Sequence, residues 1–164
     1  MENYDIYLEK EFAVSVAEYY NTWVGIVEIF CRRDKDHHLY KIGKFFFRKF
    51  DFPTEVGDKG RIFFEFSRIS FICDYEIHSE NKASCQIYTA KRDMHLAVDC
   101  NLIPTDNGVR VEYALNYIKL PRMKRFFINQ SVKFLVPKTL DIIAREAQKL
   151  EVPEVQVSTG LMAG

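Results

Sequence analysis

The pattern of apolar and polar positions begins with a strand and continues with a helix. Residues 4–14 alternate between apolar and polar side chains, a period of two that is typical of a strand. Ser15 follows, with Glu18 three positions later, the spacing of a capping box that starts a helix. Apolar residues then recur at helical spacing to about residue 31. We expect this helix to break near Gly25 into two short pieces.

Six further segments are predicted to be strands, after a polar loop over residues 32–38. The first is rich in phenylalanine, a residue that favours strands, and the others alternate with period two. The Asn107-Gly108 step predicts a tight hairpin before the last strand. In chain order these predicted strands are residues 41–52, 61–68, 71–78, 83–90, 94–103 and 109–118.

The pattern then changes to the period of a helix, from residue 122 to residue 150. Its apolar stripe recurs at steps of three and four residues and comprises Ile128, Val132, Val136, Leu140, Ile143, Ala147 and Leu150. We expect residues 1–151 to form a single domain. Residues 152–164 are predicted to form a flexible C-terminal tail.

The order of these elements predicts the architecture. Strands joined by short turns pair antiparallel, and the apolar face of the resulting sheet needs a cover. The last helix is the predicted element that is long and apolar enough to provide it. We therefore predict an α+β fold, in which a curved antiparallel sheet of about seven strands wraps around the long C-terminal helix. Two short helices follow the first strand.

Three stretches of sequence carry a family resemblance: FAVSVAEYYNTWV after the first strand, VGDKGRIFFEF at the start of the sheet, and RFFINQSVKFLVPKTLDIIAREAQKL near the end. Through them residues 4–150 resemble the START-like superfamily, also called SRPBCC or helix-grip, which includes polyketide cyclase-like proteins. The composition is similar to that of small archaeal members. The resemblance implies a cavity between sheet and long helix that holds a lipid or another apolar molecule. Members range from lipid carriers to cyclases, so the fold alone does not choose a function.

Composition and charge argue against several classes of protein. The 23 basic and 23 acidic residues cancel, whereas DNA binding rests on a strong positive field. The 4 cysteines form no CxxC pair, so we expect reduced, structural thiols and no zinc site. The polar, acidic start lacks the features of a signal peptide, and no apolar run is long enough to span a membrane. We expect a cytoplasmic protein without stable membrane insertion.

The inward faces of the predicted strands and of the last helix supply the candidate ligand-binding residues. Aromatic residues make up 15% of the chain, and such bulky side chains either fill a core or line a cavity. A tyrosine, or Arg68, would orient the polar end of a ligand. The candidates are Phe64, Phe66, Arg68, Cys73, Tyr75, Ile87, Leu96, Val98, Tyr113, Leu115, Tyr117, Phe127, Val132 and Leu135.

The favoured function is the binding or carrying of a hydrophobic small molecule, such as a fatty acid, in this cavity. The sequence predicts no catalytic residue, no metal site and no cofactor. One alternative is a cyclase- or lyase-type enzyme that uses the same pocket. Another is a protein- or RNA-interaction module with a filled core, binding through the basic helix start at Arg122, Lys124 and Arg125. The pattern leaves a homodimer open.

Overall fold

The computed structural model describes residues 4–43, 47–51, 55–66 and 68–151. These residues form seven strands and three helices. The strands are β1 (Ile6–Phe12), β2 (Phe47–Asp51), β3 (Lys59–Phe66), β4 (Ile69–Ser79), β5 (Lys82–Thr89), β6 (His95–Thr105) and β7 (Gly108–Lys119). The helices are α1 (Val16–Arg32), α2 (His38–Gly43) and α3 (Arg122–Glu151). The predicted tail, residues 152–164, lies outside the described residues, so the domain boundary stays a prediction.

The strands form one antiparallel sheet in the order β1-β7-β6-β5-β4-β3-β2. From β2 to β7 each strand pairs with its neighbours in sequence. Strand β1 forms the edge of the sheet opposite β2 and pairs with β7, where Ile6 lies opposite Leu115. The sheet curves and is accompanied by the long C-terminal helix, so the predicted α+β fold is confirmed.

Helix α1 begins at the predicted capping box. The Ser15 hydroxyl accepts a hydrogen bond from the Glu18 N–H at 3.2 Å, and the Glu18 carboxylate accepts one from the Ser15 N–H at 2.7 Å. The predicted break near Gly25 is wrong, because α1 continues through it. A glycine in a helix interior costs about 1 kcal/mol relative to alanine. Burial of Val27 and Phe30 in the next turn stabilises the helix by more than that.

Helix α2 departs from the predicted pattern. In sequence it includes the last residue of the predicted loop 32–38 and the first three residues of the predicted strand 41–52. Strand β2 is correspondingly shorter, and the predicted strand's residues 44–46 and 52 lie outside the described residues. The ring of Tyr40 on α2 lies 5.9 Å from the ring of Phe30 on α1. This tertiary contact favours the helix, and local composition does not reveal it.

The apolar side chains between the sheet and the helices form two clusters. The first surrounds the β6–β7 hairpin and contains Val14, Tyr19, Val109, Val111, Leu140, Ile143, Ala144 and Ala147. The second lies towards the other end of β7 and contains Ile6, Phe71, Met94, Leu96, Val98, Leu115 and Leu120. Helix α3 contributes to both, because Leu140 belongs to the first cluster while Ile128 and Val132 pack against the second.

Candidate ligand-binding cavity

A cavity of about 260 Å³ lies where the two apolar clusters meet. Its lining is made of Tyr19, Tyr20, Trp23, Tyr75, Ser79, Glu80, Asn81, Lys82, Ala83, Ser84, Cys85, Val98, Cys100, Leu102, Tyr113, Val136, Thr139, Leu140 and Ile143. Helix α1, strands β4 to β7 and the second half of α3 thus supply the walls. Ligand pockets for drug-sized molecules commonly measure roughly 300–1,000 Å³. This cavity is just below that range, so it suits a smaller molecule.

Short side chains at the centre of the sheet leave this space open. Ala83 on β5 pairs with Cys100 on β6, and Cys85 pairs with Val98 on the same two strands. Longer side chains at these positions would extend towards α3 and close the gap. The close packing that is normal in a protein interior is therefore interrupted at this point.

Aromatic rings form the wall on the α1 side. The ring centroids of Trp23 and Tyr75 are 5.6 Å apart, with 31° between the ring planes. Those of Tyr20 and Trp23 are 6.0 Å apart. Such rings offer a large apolar surface and a polar group at the edge. A wall of this kind is typical of sites that bind small organic molecules.

The tyrosine hydroxyls at the cavity differ in their hydrogen bonding. The hydroxyl of Tyr19 donates to the Leu140 carbonyl oxygen at 3.4 Å. The hydroxyl of Tyr113 forms no hydrogen bond to a described residue. Burial raises the pKa of Tyr113 well above its ordinary value, so this hydroxyl stays protonated at neutral pH. It is therefore a donor that an oxygen atom of a ligand can satisfy.

Two thiols face the cavity, those of Cys85 and Cys100. Burial raises the pKa of Cys100 to about 11. A hydrogen bond with Cys73, together with burial, raises the pKa of Cys85. Both groups are neutral thiols at physiological pH, and the thiolate is the reactive form of cysteine. They act here as small apolar side chains.

The charged residues of the lining lie at the β4–β5 hairpin, with Glu80 in the turn and Lys82 at the start of β5. Glu80 and Lys82 are both exposed there, so the cavity opens to solvent at this turn. A polar group at the outer end of a ligand would meet water and the Lys82 ammonium group. The other lining residues carry no ionised group, because the tyrosines and cysteines among them stay protonated.

The predicted ligand-binding residues divide into several groups. Tyr75, Val98 and Tyr113 line the cavity. Cys73 is buried on β4 beside Cys85, and Phe66 belongs to β3 with a side chain outside the described residues. A further group packs in or against the second apolar cluster: Phe64, Ile87, Leu96, Leu115, Tyr117 and Val132. A ligand-binding role for the predicted residues stays a prediction.

Arg68, Phe127 and Leu135 lie away from the cavity. Arg68 is exposed in the turn between β3 and β4, with a φ of 63°. Phe127 and Leu135 are 69% and 40% exposed on α3. Each comes one position before an inward residue, Ile128 or Val136, and one position rotates a side chain by about 100° around a helix axis. Phe127 and Leu135 therefore point outward, although their apolar side chains favour an inward position.

The candidate set misses most of the lining, and the aromatic residues of α1 are the largest side chains among the residues that it misses. Tyr19, Tyr20 and Trp23 all belong to the lining. The sequence does contain a sign of this wall, because Tyr20 and Trp23 are three residues apart and Tyr19 and Trp23 four apart. This spacing gives the amphipathic helix an aromatic face. The sequence does not show that this face meets β4 across an open space.

Comparison with known proteins supports the fold. The sequence has no significant match to a protein-family model or to a curated protein. Protein MLL2253 from Mesorhizobium loti is 15% identical, with a TM-score of 0.60 over 90% of this chain and 98% of that chain. Ara h 8.0201 is 11% identical, with a TM-score of 0.58 over 88% and 97%.

Norcoclaurine synthase from Thalictrum flavum, in complex with dopamine and hydroxybenzaldehyde, is 14% identical to this chain. Its TM-score is 0.62, over 90% of this chain and 88% of that chain. At such identities the similarity shows the fold alone, which is the helix-grip fold. The likeness in composition to archaeal proteins finds no support in these structures.

Two features are absent from the described residues, a membrane-spanning helix and a cluster of metal-ligating side chains. No helix among them is both long enough and apolar enough to cross a membrane. They also contain no group of three or more His, Cys, Asp or Glu side chains arranged to hold a metal ion.

Proposed function

We propose that this protein binds a small, mainly apolar molecule that carries one hydrogen-bonding oxygen. The observation that supports this most directly is the Tyr113 hydroxyl, which lies at an apolar cavity without a hydrogen bond to a described residue. A hydrogen bond between two polar groups contributes about 0.5–1.5 kcal/mol. A ligand oxygen that accepts from Tyr113 would gain this contribution, while the rest of the ligand buries apolar surface.

The size and neutrality of the cavity favour a single-ring aromatic molecule or a short aliphatic chain. A cavity of about 150 Å³ already admits benzene, and about 260 Å³ leaves room for substituents. An ionised carboxylate would be costly in the interior, so a fatty acid would place its carboxylate at the mouth beside Lys82. The similar synthase structure holds dopamine and hydroxybenzaldehyde, which are single-ring molecules, and this supports the size class.

The test compares p-cresol with toluene, two probes that differ by a phenol hydroxyl. Wild-type protein should bind p-cresol more tightly than toluene in isothermal titration calorimetry. Tyr113→Phe should weaken p-cresol binding about twofold to tenfold, the contribution of one hydrogen bond. Toluene binding should not change, because toluene makes no hydrogen bond to this residue.

Tyr117→Phe is the matched control, because Tyr117 lies four residues further along β7. Its hydroxyl donates to Oδ1 of Asn129 on α3 and does not line the cavity. This variant should bind both probes as the wild type does. Cys100→Phe should fill the cavity and abolish the binding of both. A Cys100→Phe protein that is folded by circular dichroism and still binds both probes normally would contradict the proposed site.

A catalytic use of the same cavity is the second candidate, because Glu80 and Lys82 place a carboxylate and an amine at its mouth. A lysine amine beside an apolar pocket can condense with an aldehyde to an imine, with release of water, or transfer a proton. Dopamine and hydroxybenzaldehyde are suitable probes, with the condensation product followed by mass spectrometry. Product that is lost in Lys82→Ala and retained in Lys35→Ala would support catalysis. Absence of product with the wild type would count against it.

A further inference from the structure

The first half of α3 carries an exposed apolar surface on the side away from the core. Met123, Phe126, Phe127 and Phe134 are 87%, 64%, 69% and 59% exposed. We refer to these four residues as the aromatic face. Contiguous exposed surfaces of large apolar residues are rare on soluble monomers, and they mark sites of interaction.

Helix geometry brings the members of the aromatic face together. At 3.6 residues per turn, Met123, Phe127 and Phe134 lie within about 40° of one another around the helix axis. The segment from Met123 to Phe134 is about 16 Å long along the helix axis, at about 1.5 Å per residue. Ile128 and Val132 point the other way, into the second apolar cluster. This segment of α3 is therefore apolar on two opposite sides, and the sheet covers one of them.

Positive charge accompanies the aromatic face. Residues 122–140 contain no aspartate or glutamate, although the charges of the whole chain cancel. The cations of this segment are Arg122, Lys124, Arg125, Lys133 and Lys138. Cations in the first turn of a helix are unfavourable, by about 0.3–1 kcal/mol each. Lys124 and Arg125 have partners within the molecule, since Lys124 lies near Asp93 and Arg125 donates to the Leu120 carbonyl oxygen and lies over the Tyr117 ring. The stability of the helix does not account for Arg122, and an anionic partner would.

Few carboxylates within the described part of the chain neutralise these cations. Lys124 lies 3.8 Å from Asp93, and the other cations of the segment form no ion pair with a described carboxylate. Lys138 instead lies over the ring of Phe134, with Nζ 3.7 Å from the ring centroid. Aromatic and cationic groups thus share one surface, which presents apolar rings flanked by positive charge.

We propose that the aromatic face docks on the surface of an anionic phospholipid bilayer. The aromatic rings would enter the boundary between head groups and acyl chains, and the flanking lysines and arginines would contact lipid phosphates. A convex helix with apolar residues in the middle and cations beside them fits a flat, negatively charged surface. Two copies of this face would instead bring like charges together.

Docking of this kind is peripheral and does not require a helix that crosses the membrane. It also does not depend on the proposed cavity ligand, because the cavity uses α3 residues from Val136 onwards. Failure of one proposal therefore leaves the other standing.

The experiment measures flotation of the full chain with phospholipid vesicles. Binding to phosphatidylcholine vesicles with about 30% phosphatidylserine should exceed binding to pure phosphatidylcholine at least tenfold. Raising the ionic strength to about 0.5 M should remove this difference, because salt screens the charges. Equal flotation with both vesicle types, or none with either, would overturn the proposal.

Two pairs of variants separate the contributions of charge and of the rings. Arg122→Gln with Lys133→Gln should lower partitioning roughly tenfold to thirtyfold, at about 1 kcal/mol for each charge. Lys35→Gln with Lys41→Gln removes the same charge from the α1–α2 region and should change nothing.

Phe127→Ser with Phe134→Ser should abolish flotation, whereas Val56→Ser, an exposed apolar residue before β3, should not. Wild-type flotation by the double phenylalanine variant would overturn the proposal. A second result would also overturn it: the wild type does not float and is a dimer in sedimentation velocity, and the double phenylalanine variant is a monomer. A second copy of the chain would then cover the aromatic face.

Discussion

The indole ring of Trp23 on α1 lies 5.6 Å from the phenol ring of Tyr75 on β4. This contact connects the helix that follows the first strand to a central strand of the sheet, at the wall of the cavity. Helix α1 is therefore part of the candidate site. A molecule that enters the cavity must change the surroundings of both rings.

Trp23 should report occupancy of the cavity by its fluorescence. The chain contains a single tryptophan, so selective excitation observes this position alone. Addition of cyclohexanol, a non-fluorescent apolar alcohol, should shift the emission to shorter wavelength and reduce quenching by acrylamide, because water leaves the indole ring. Cys100→Phe, in which the cavity is filled, should show no response. A response of unchanged size in that variant would show that the alcohol binds elsewhere.

The thiol of Cys100 should be unreactive in the folded protein. With a pKa of about 11, its thiolate fraction at about pH 8 is roughly two hundred times smaller than that of a free cysteine with a pKa near 8.5. Alkylation by iodoacetamide, followed peptide by peptide with mass spectrometry, should therefore be slow at Cys100 and fast in urea. Equal rates in both conditions would show that this wall of the cavity opens readily.

Gly108 should tolerate no side chain. Its φ is 145°, and a Cβ atom would lie 2.1 Å from the carbonyl oxygen of Phe12, where β1 meets the start of β7. Gly108→Ala should lower the free energy of unfolding by at least about 2 kcal/mol, through strain and the loss of strand pairing. Urea unfolding measures the change.

Gly25→Ala is the matched control for Gly108. A Cβ atom at Gly25 would meet nothing within 4 Å, and the residue lies inside α1. This substitution should stabilise the protein by about 0.5–1 kcal/mol, because alanine is the better helix former. Destabilisation would contradict a continuous α1.

Asp74 should make stability depend on pH in the acid range. Its carboxylate accepts hydrogen bonds from Arg61 Nε at 2.6 Å and from the Tyr88 hydroxyl at 2.6 Å. The Arg61 guanidinium in particular holds the pKa of Asp74 below its ordinary value. The contribution of Asp74 to the free energy of unfolding is therefore complete above the unfolded pKa near 3.9. It is lost as the pH falls through the lower pKa of the folded protein.

The size of this effect should be modest, below about 1 kcal/mol, because the ion pair is partly exposed and screened by water. Urea unfolding between about pH 2 and pH 7 compares the wild type with Asp74→Asn, which should lose less stability in acid. Asp36→Asn, an exposed carboxylate between α1 and α2, is the control and should follow the wild type. If Asp74→Asn and the wild type lost the same stability in acid, Asp74 would not be a cause of the acid destabilisation.

The parts of the structure that depend on local pattern were predictable. Alternation of period two marks strands, because successive side chains point to opposite faces whatever lies beyond them. Ser15 and Glu18 set the start of α1 through hydrogen bonds within four residues. The Asn107-Gly108 step marks the β6–β7 hairpin for the same reason.

The parts that depend on distant contacts were not predictable in this way. Helix α2 forms in a segment whose composition favours a strand, and its Tyr40 packs on Phe30 of α1. Helix α1 runs through Gly25 because the core buries its apolar side chains on one face. In both cases burial against another element exceeds the local preference of the chain.

The sequence by itself determined that apolar residues such as Leu115 and Tyr113 share the inner face of one strand. The tertiary structure alone decided that Leu115 is buried in a cluster while Tyr113 lines a cavity. The physical reason is that an open space depends on the lengths of side chains from several elements at once. Ala83, Cys100 and Thr139 come from three of them, and they meet only in the folded protein.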